Sequence, residues 1–109
     1  MSLRISKVNE LIKQQISEII SREVDFKPGI FLTISKVDTT KDLRYTRVFV
    51  SIFPERESEY AAKTLQNELS GIQKILNKKL HMKILPKIKF IPDSTEARAD
   101  EIEKILKNI

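Results

Sequence analysis

Six lysines, Lys74, Lys78, Lys79, Lys83, Lys87 and Lys89, fall within residues 69–92 without one acidic residue among them. The rest of the 109-residue chain carries 14 basic and 15 acidic side chains, so the net charge of +5 arises in that stretch alone. Such a run suits a polyanion, because ammonium groups that neutralise phosphates release condensed counterions. The plainer role for the same residues is edge protection, since lysines keep exposed strands from pairing with other chains. Edge protection does not account for Lys74 and Lys78, which lie four apart on one face of a predicted helix. Arg44 and Arg47, from a predicted hairpin, add two guanidinium groups to the same candidate set. A membrane surface fits less well, because no amphipathic helix in this stretch sets bulky aromatics opposite its lysines.

Other chemistries find little to work with. There is no cysteine, hence no thiolate nucleophile, disulfide or Cys-ligated metal site. The single histidine, His81, stands among lysines at a predicted helix end, without a nucleophile to activate. Gly29 and Gly71 are the only glycines, too few and too far apart for a Rossmann or P-loop phosphate cradle. Asp38 and Asp42 bracket a turn, and Asp93 with Glu96 matches a helix cap. The expectation is therefore a binding protein, not an enzyme, with no cofactor and no metal. Tyr45, Phe49 and Phe53 share a strand parity with Arg47, which would allow base stacking on an open sheet. Packing within the core or the hairpin is the expected fate of Phe49 and Phe53.

The elements that must carry these residues follow from apolar spacing. Ile5, Val8, Leu11, Ile12, Ile16, Ile19, Ile20 and Val24 recur at helical steps, and Pro28-Gly29 breaks the pattern. A period of two replaces it over residues 30–35 and again over 45–52, around Asp38-Thr39-Thr40-Lys41-Asp42. Two β-branched and aromatic runs this close predict an antiparallel hairpin with a five-residue connection. After Pro54 the helical stripe returns in Ala61, Ala62, Leu65, Leu69, Ile72, Ile75, Leu76 and Leu80. It holds phase through Ser70-Gly71, where a Gly/Ser pair is a physical cause of a kink. Two helices meeting at an angle are expected there. A third strand is expected over residues 83–91, with Pro86 fitting an edge or start position. Asp93 and Glu96 then cap a last helix carrying Ala99, Ile102, Ile105 and Leu106.

The resulting order is α-β-β-α-kink-α-β with a C-terminal helix. It implies an α+β fold, a single domain over 1–109 with helices on one face of a three-stranded sheet. Charges at Arg4, Lys7 and Glu10 are unlike a signal peptide, and the apolar runs are far too short to span a membrane. A cytoplasmic protein is expected.

This order resembles the type II KH fold, but the GXXG loop with which KH domains clamp RNA is absent. The ribosome-binding factor A family, in which an Ala-x-Gly kink replaces that loop, is similar to this chain over nearly its whole length. The likeness rests on Lys7-Val8-Asn9-Glu10-Leu11-Ile12 with Ile16-Ser17-Glu18-Ile19, and on Thr33-Ile34-Ser35-Lys36-Val37. Its most specific piece is Asp42-Leu43-Arg44-Tyr45-Thr46-Arg47-Val48-Phe49-Val50-Ser51. Pro86-Lys87-Ile88-Lys89-Phe90, then Asp93, Ala99 and Ile102, complete it. The kink itself reads Leu69-Ser70-Gly71, with leucine where the family usually has alanine.

The resemblance implies a non-enzymatic bacterial assembly factor that binds the immature small (30S) ribosomal subunit. It would assist late maturation and 5'-end processing of 16S rRNA, matter most in the cold, and be a monomer when free. Lys74, Lys78, Lys79, Lys83, Lys87 and Lys89 are the expected phosphate contacts, with Arg44 and Arg47 secondary and Leu69, Ser70 and Gly71 shaping the kink. The alternative is a small protein–protein module that oligomerises through its sheet without binding RNA.

Overall fold

The computed structural model describes residues 3–93. The predicted C-terminal helix, with Glu96, Ala99, Ile102, Ile105 and Leu106, lies outside the described residues. The first helix, α1, spans Leu3–Glu23 and buries Val8, Ile12, Ile16, Ile19 and Ile20. These positions recur at three- and four-residue steps, so a single stripe of α1 faces the core. Gly29, at φ +89°, turns the chain into the sheet.

Strand β1 (Phe31–Thr39) and strand β2 (Tyr45–Phe53) form the expected antiparallel hairpin, joined through residues 40–44. The turn is built on side chains. Asp42 accepts from the Thr40 hydroxyl (2.6 Å) and from the Arg44 amide (3.1 Å), and the Leu43 amide donates to Thr40 O (2.9 Å). Leu43 adopts φ +62° and nevertheless buries its side chain, since the turn carries the residue into the core. The register slips between Ile34 and Lys36, leaving Ser35 as a bulge. The inward set is therefore Ile34, Val37 and Thr39, a change of parity that extends β1 past its predicted end.

Beyond a 3-10 turn at Glu55–Glu57, helix α2 runs from Ser58 to Lys79 without interruption. The predicted division into two helices at Ser70-Gly71 is thus replaced by one hydrogen-bonded helix. The glycine costs the helix about 1 kcal/mol relative to alanine. Burying Leu65, Ile72 and Leu76 around it returns roughly 1.5–3 kcal/mol for each side chain, which outweighs that cost. The helix does stop where Lys79 would turn into the apolar arc. Leu80 is extended, still donates its amide to Leu76 O at 3.0 Å, and is buried.

Strand β3 (Lys87–Pro92) starts later than predicted, because Pro86 precedes it. It pairs with β2 in parallel, giving the order β1-β2-β3 with β2 central and β3 at an edge. α1 and α2 pack on one face of this sheet. One core joins Ile12, Ile16 and Ile19 of α1 to Leu65, Ile72 and Leu76 of α2 and to Val48, Val50 and Ile88 of the sheet. The other sheet face has no helix over it among the described residues.

Candidate nucleic-acid interface

Residues paired across strands project to the same face of a sheet. In β2 and β3 the pairs Tyr45↔Lys87, Arg47↔Lys89 and Phe49↔Ile91 alternate with buried Thr46, Val48, Val50 and Ile88. In β1 and β2 the outward pairs are Asp38↔Arg47, Lys36↔Phe49 and Phe31↔Phe53. The face away from α1 and α2 thus carries a central row of Tyr45, Arg47, Phe49 and Phe53, with lysines in both flanking rows. Phe53 is 68% exposed and Phe49 only half-buried, so neither is a core residue; both lie on the outward face of the hairpin, Phe53 opposite Phe31 and Phe49 opposite Lys36. The reason is register: Thr46, Val48 and Val50 already fill the inward face of β2.

Within this row Arg47 is held on two sides. Its guanidinium pairs with the Asp38 carboxylate and lies 5.4 Å from the centroid of the Phe49 ring. The Lys36 ammonium reaches the same ring at 5.8 Å. Lys36 is not among the predicted contacts, since the bulge at Ser35 turns it outward against the parity of the strand before it. Arg44, in the turn, is exposed and lies 3.8 Å from the Asp42 carboxylate. The Lys87 amide donates to Arg44 O at 2.9 Å, which brings the turn beside the start of β3.

The six lysines of the acid-free run are all exposed, and none has an ion pair among the described residues. They do not form one patch. Lys87 and Lys89 stand on the open sheet face beside Tyr45 and Arg47. Lys74 and Lys78 lie on the far side of α2 from buried Leu65, Ile72 and Leu76, hence on the helical layer. Lys79 ends α2, and Lys83 lies in the link that leads to β3, so these two stand between the groups. Of the predicted kink residues, Leu69 is half-buried against the core while Ser70 and Gly71 are exposed.

One residue positions the two groups relative to each other. The Gln73 amide donates from Nε2 to Pro86 O (2.9 Å), and its Oε1 accepts the Ile88 amide (2.9 Å). Its side chain thereby occupies hydrogen-bonding positions that a further strand would take on the open edge of β3. Asn77 Oδ1 accepts the other Gln73 amide proton at 2.9 Å. His81 is exposed, and no cluster of three or more His, Asp or Glu among the described residues is placed to hold a metal.

Residues 4–106 match the ribosome-binding factor A family. The chain belongs to that family. Ribosome-binding factor A of Chlorobium phaeobacteroides is 34% identical over 112 residues, a match covering all of this chain and 96% of the relative. The crystal structure of ribosome-binding factor A from Thermus thermophilus superposes with a TM-score of 0.68 at 25% identity, covering 81% of this chain and 93% of that one. A Thermus thermophilus ribosome-binding factor A homology model, fitted into a cryo-EM map of a 30S complex, gives a TM-score of 0.63 at 28% identity. That likeness covers 76% of this chain and 88% of the other. The resemblance to this family and the α+β fold class are both borne out. Ribosome-binding factor A names a binding activity rather than a reaction. No helix among the described residues is long and apolar enough to cross a membrane.

Proposed function

We propose that this protein binds the immature small ribosomal subunit and assists late maturation and 5'-end processing of 16S rRNA. It does so as a single KH-like, RNA-binding domain over 1–109, cytoplasmic, monomeric when free, without a cofactor and without catalysing a reaction. The partner is taken from the likeness to the Thermus thermophilus protein fitted into a 30S complex. The observation that carries the mode of binding is the set of six exposed lysines without ion pairs among the described residues. Phosphates would supply the missing counter-charge.

Lys87 and Lys89, with Arg44 and Arg47, contact RNA from the sheet side, and Lys74 and Lys78 from the helical side. Lys79 and Lys83 bridge them around the β3 edge. Leu69, Ser70 and Gly71 lie one turn before Lys74 and set the direction of that part of α2. The rival reading, docking through the sheet as a protein–protein module, is favoured by one observation, the exposed pair Phe31 and Phe53.

Sedimentation with mature and immature small subunits across a salt series tests the proposal. Co-migration should weaken with salt, and replacing Lys74, Lys78 and Lys87 by Glu should weaken it further and flatten the salt slope. A salt-insensitive homodimer that co-migrates with neither particle overturns the proposal in favour of the rival.

A further inference from the structure

We infer that the sheet face left open by the described helices is a stacking platform for single-stranded RNA, with Tyr45 as the residue on which a base lies. The inference rests on the ribosomal reading above and names the RNA form and the face that receives it. Five observations converge on it. The Tyr45 side chain is more than half exposed, and its hydroxyl has no hydrogen-bond partner among the described residues. Its backbone, by contrast, is fixed on the turn side. The Tyr45 amide donates to Thr40 Oγ1 at 3.2 Å, and Tyr45 O accepts the Thr40 amide at 2.9 Å. An exposed ring on a clamped strand loses little freedom when a base settles on it.

The surroundings supply the counter-charge. Lys87 stands directly opposite Tyr45, Lys89 opposite Arg47, and Lys36 opposite Phe49. The one acid paired into this row, Asp38, is engaged by Arg47 and holds the guanidinium near the Phe49 ring. An aromatic ring, an oriented guanidinium and flanking lysines are what unpaired nucleotides require. Bases stack on the ring and guanidinium planes while ammonium groups follow the phosphates. A duplex keeps its base faces stacked inside and can use only the lysines, so the platform prefers single strands. A second copy of this chain fits less well, since it would bring the same positive face toward itself.

The test uses the full chain with a short fluorescently labelled oligouridylate and a duplex RNA of equal length, followed by anisotropy across a salt series. The wild type should bind the single strand more tightly than the duplex. Tyr45→Ala should weaken oligouridylate binding by about fivefold to a hundredfold, the range for losing one stacked base. The salt slope should stay the same, because no phosphate contact is removed. Tyr45→Phe, which keeps the ring, should bind as the wild type does. Lys87→Gln should lower affinity and reduce the slope.

Wild-type affinity in Tyr45→Ala, equal binding of single strand and duplex, or absence of oligouridylate binding overturns the inference. So does a dimer that Tyr45→Ala dissociates. Sedimentation of the same preparations with small subunits separates the two levels. Particles that still bind the chain would leave the ribosomal reading standing while the platform falls, whereas loss of both would remove the two together.

Discussion

The side-chain amide of Gln73 in α2 takes the place of a neighbouring strand for Ile88 in β3, accepting its backbone N–H at 2.9 Å. An edge strand presents unpaired backbone groups and invites pairing with other chains. Here the helix that packs beside the edge covers its first positions with a single polar side chain, which also donates to Pro86 O.

Gln73→Leu should therefore cost about 1–3 kcal/mol, because it leaves a partly buried donor and acceptor unmatched while roughly preserving volume. Urea denaturation is the measurement, with a lower midpoint and an unchanged slope. Amide exchange localises the effect: the Ile88 N–H should exchange faster in the variant by a factor larger than global destabilisation explains. Gln73→Glu retains an acceptor for Ile88 but sets a carboxylate against Pro86 O, and should rank between the two.

The buried hydroxyls of Thr39 and Thr46 meet at 2.9 Å directly across the hairpin. Either Thr→Val change strands the remaining hydroxyl and should cost about 1–3 kcal/mol, whereas the double change should cost much less than the sum of the two. A double-mutant cycle in urea reads the coupling. Equal, additive losses would mean that each hydroxyl acts alone.

Asp42 holds the hairpin turn as an ionised acceptor. The hydrogen bond from the Thr40 side chain and then that from the Arg44 backbone hold its pKa below the ordinary value of 3.8. A depressed folded-state pKa stabilises the fold above the unfolded value and loses that contribution as pH falls through the folded one. Asp42→Ala should thus be less stable than wild type at neutral pH, and the gap should narrow once the pH drops below 3.8. The group is fully exposed, so the gap is small. Thermal melts of both proteins on a descending pH series would show the two curves converging on the acid side.

The contrast between what the residues announce and what the structure adds is physical. The stripe of Ile12, Ile16 and Ile19 identifies α1 because helix periodicity is local and unmistakable over many turns. The hairpin is equally legible from alternating β-branched residues. The bulge at Ser35 is not, since nothing in Ile34-Ser35-Lys36 marks the extra residue, and it alone turns Lys36 onto the aromatic row. The division of the lysines is hidden for a similar reason. Residues 74–89 are adjacent in sequence, yet they pass from the outer side of a helix, around a strand edge, to the opposite face of a sheet. Gln73 reads as an ordinary polar helix residue, because its partner lies 15 positions away in a strand whose placement periodicity does not predict.

Gly71 offers the sharpest separation of stability from function. A Cβ built at this position meets nothing within 4 Å, and the residue sits in an unbroken helix. Gly71→Ala should accordingly stabilise the protein by roughly 0.5–1 kcal/mol, through helix propensity and a less flexible unfolded chain. A rise in the urea midpoint is the first readout. Co-sedimentation with immature small subunits is the second. If Leu69, Ser70 and Gly71 direct α2 for RNA contact as proposed, the firmer helix should bind more weakly even though it unfolds later. A later unfolding with unchanged affinity would instead mean that Gly71 has no part in binding, leaving Lys74, Lys78 and Lys79 as the contribution of this helix.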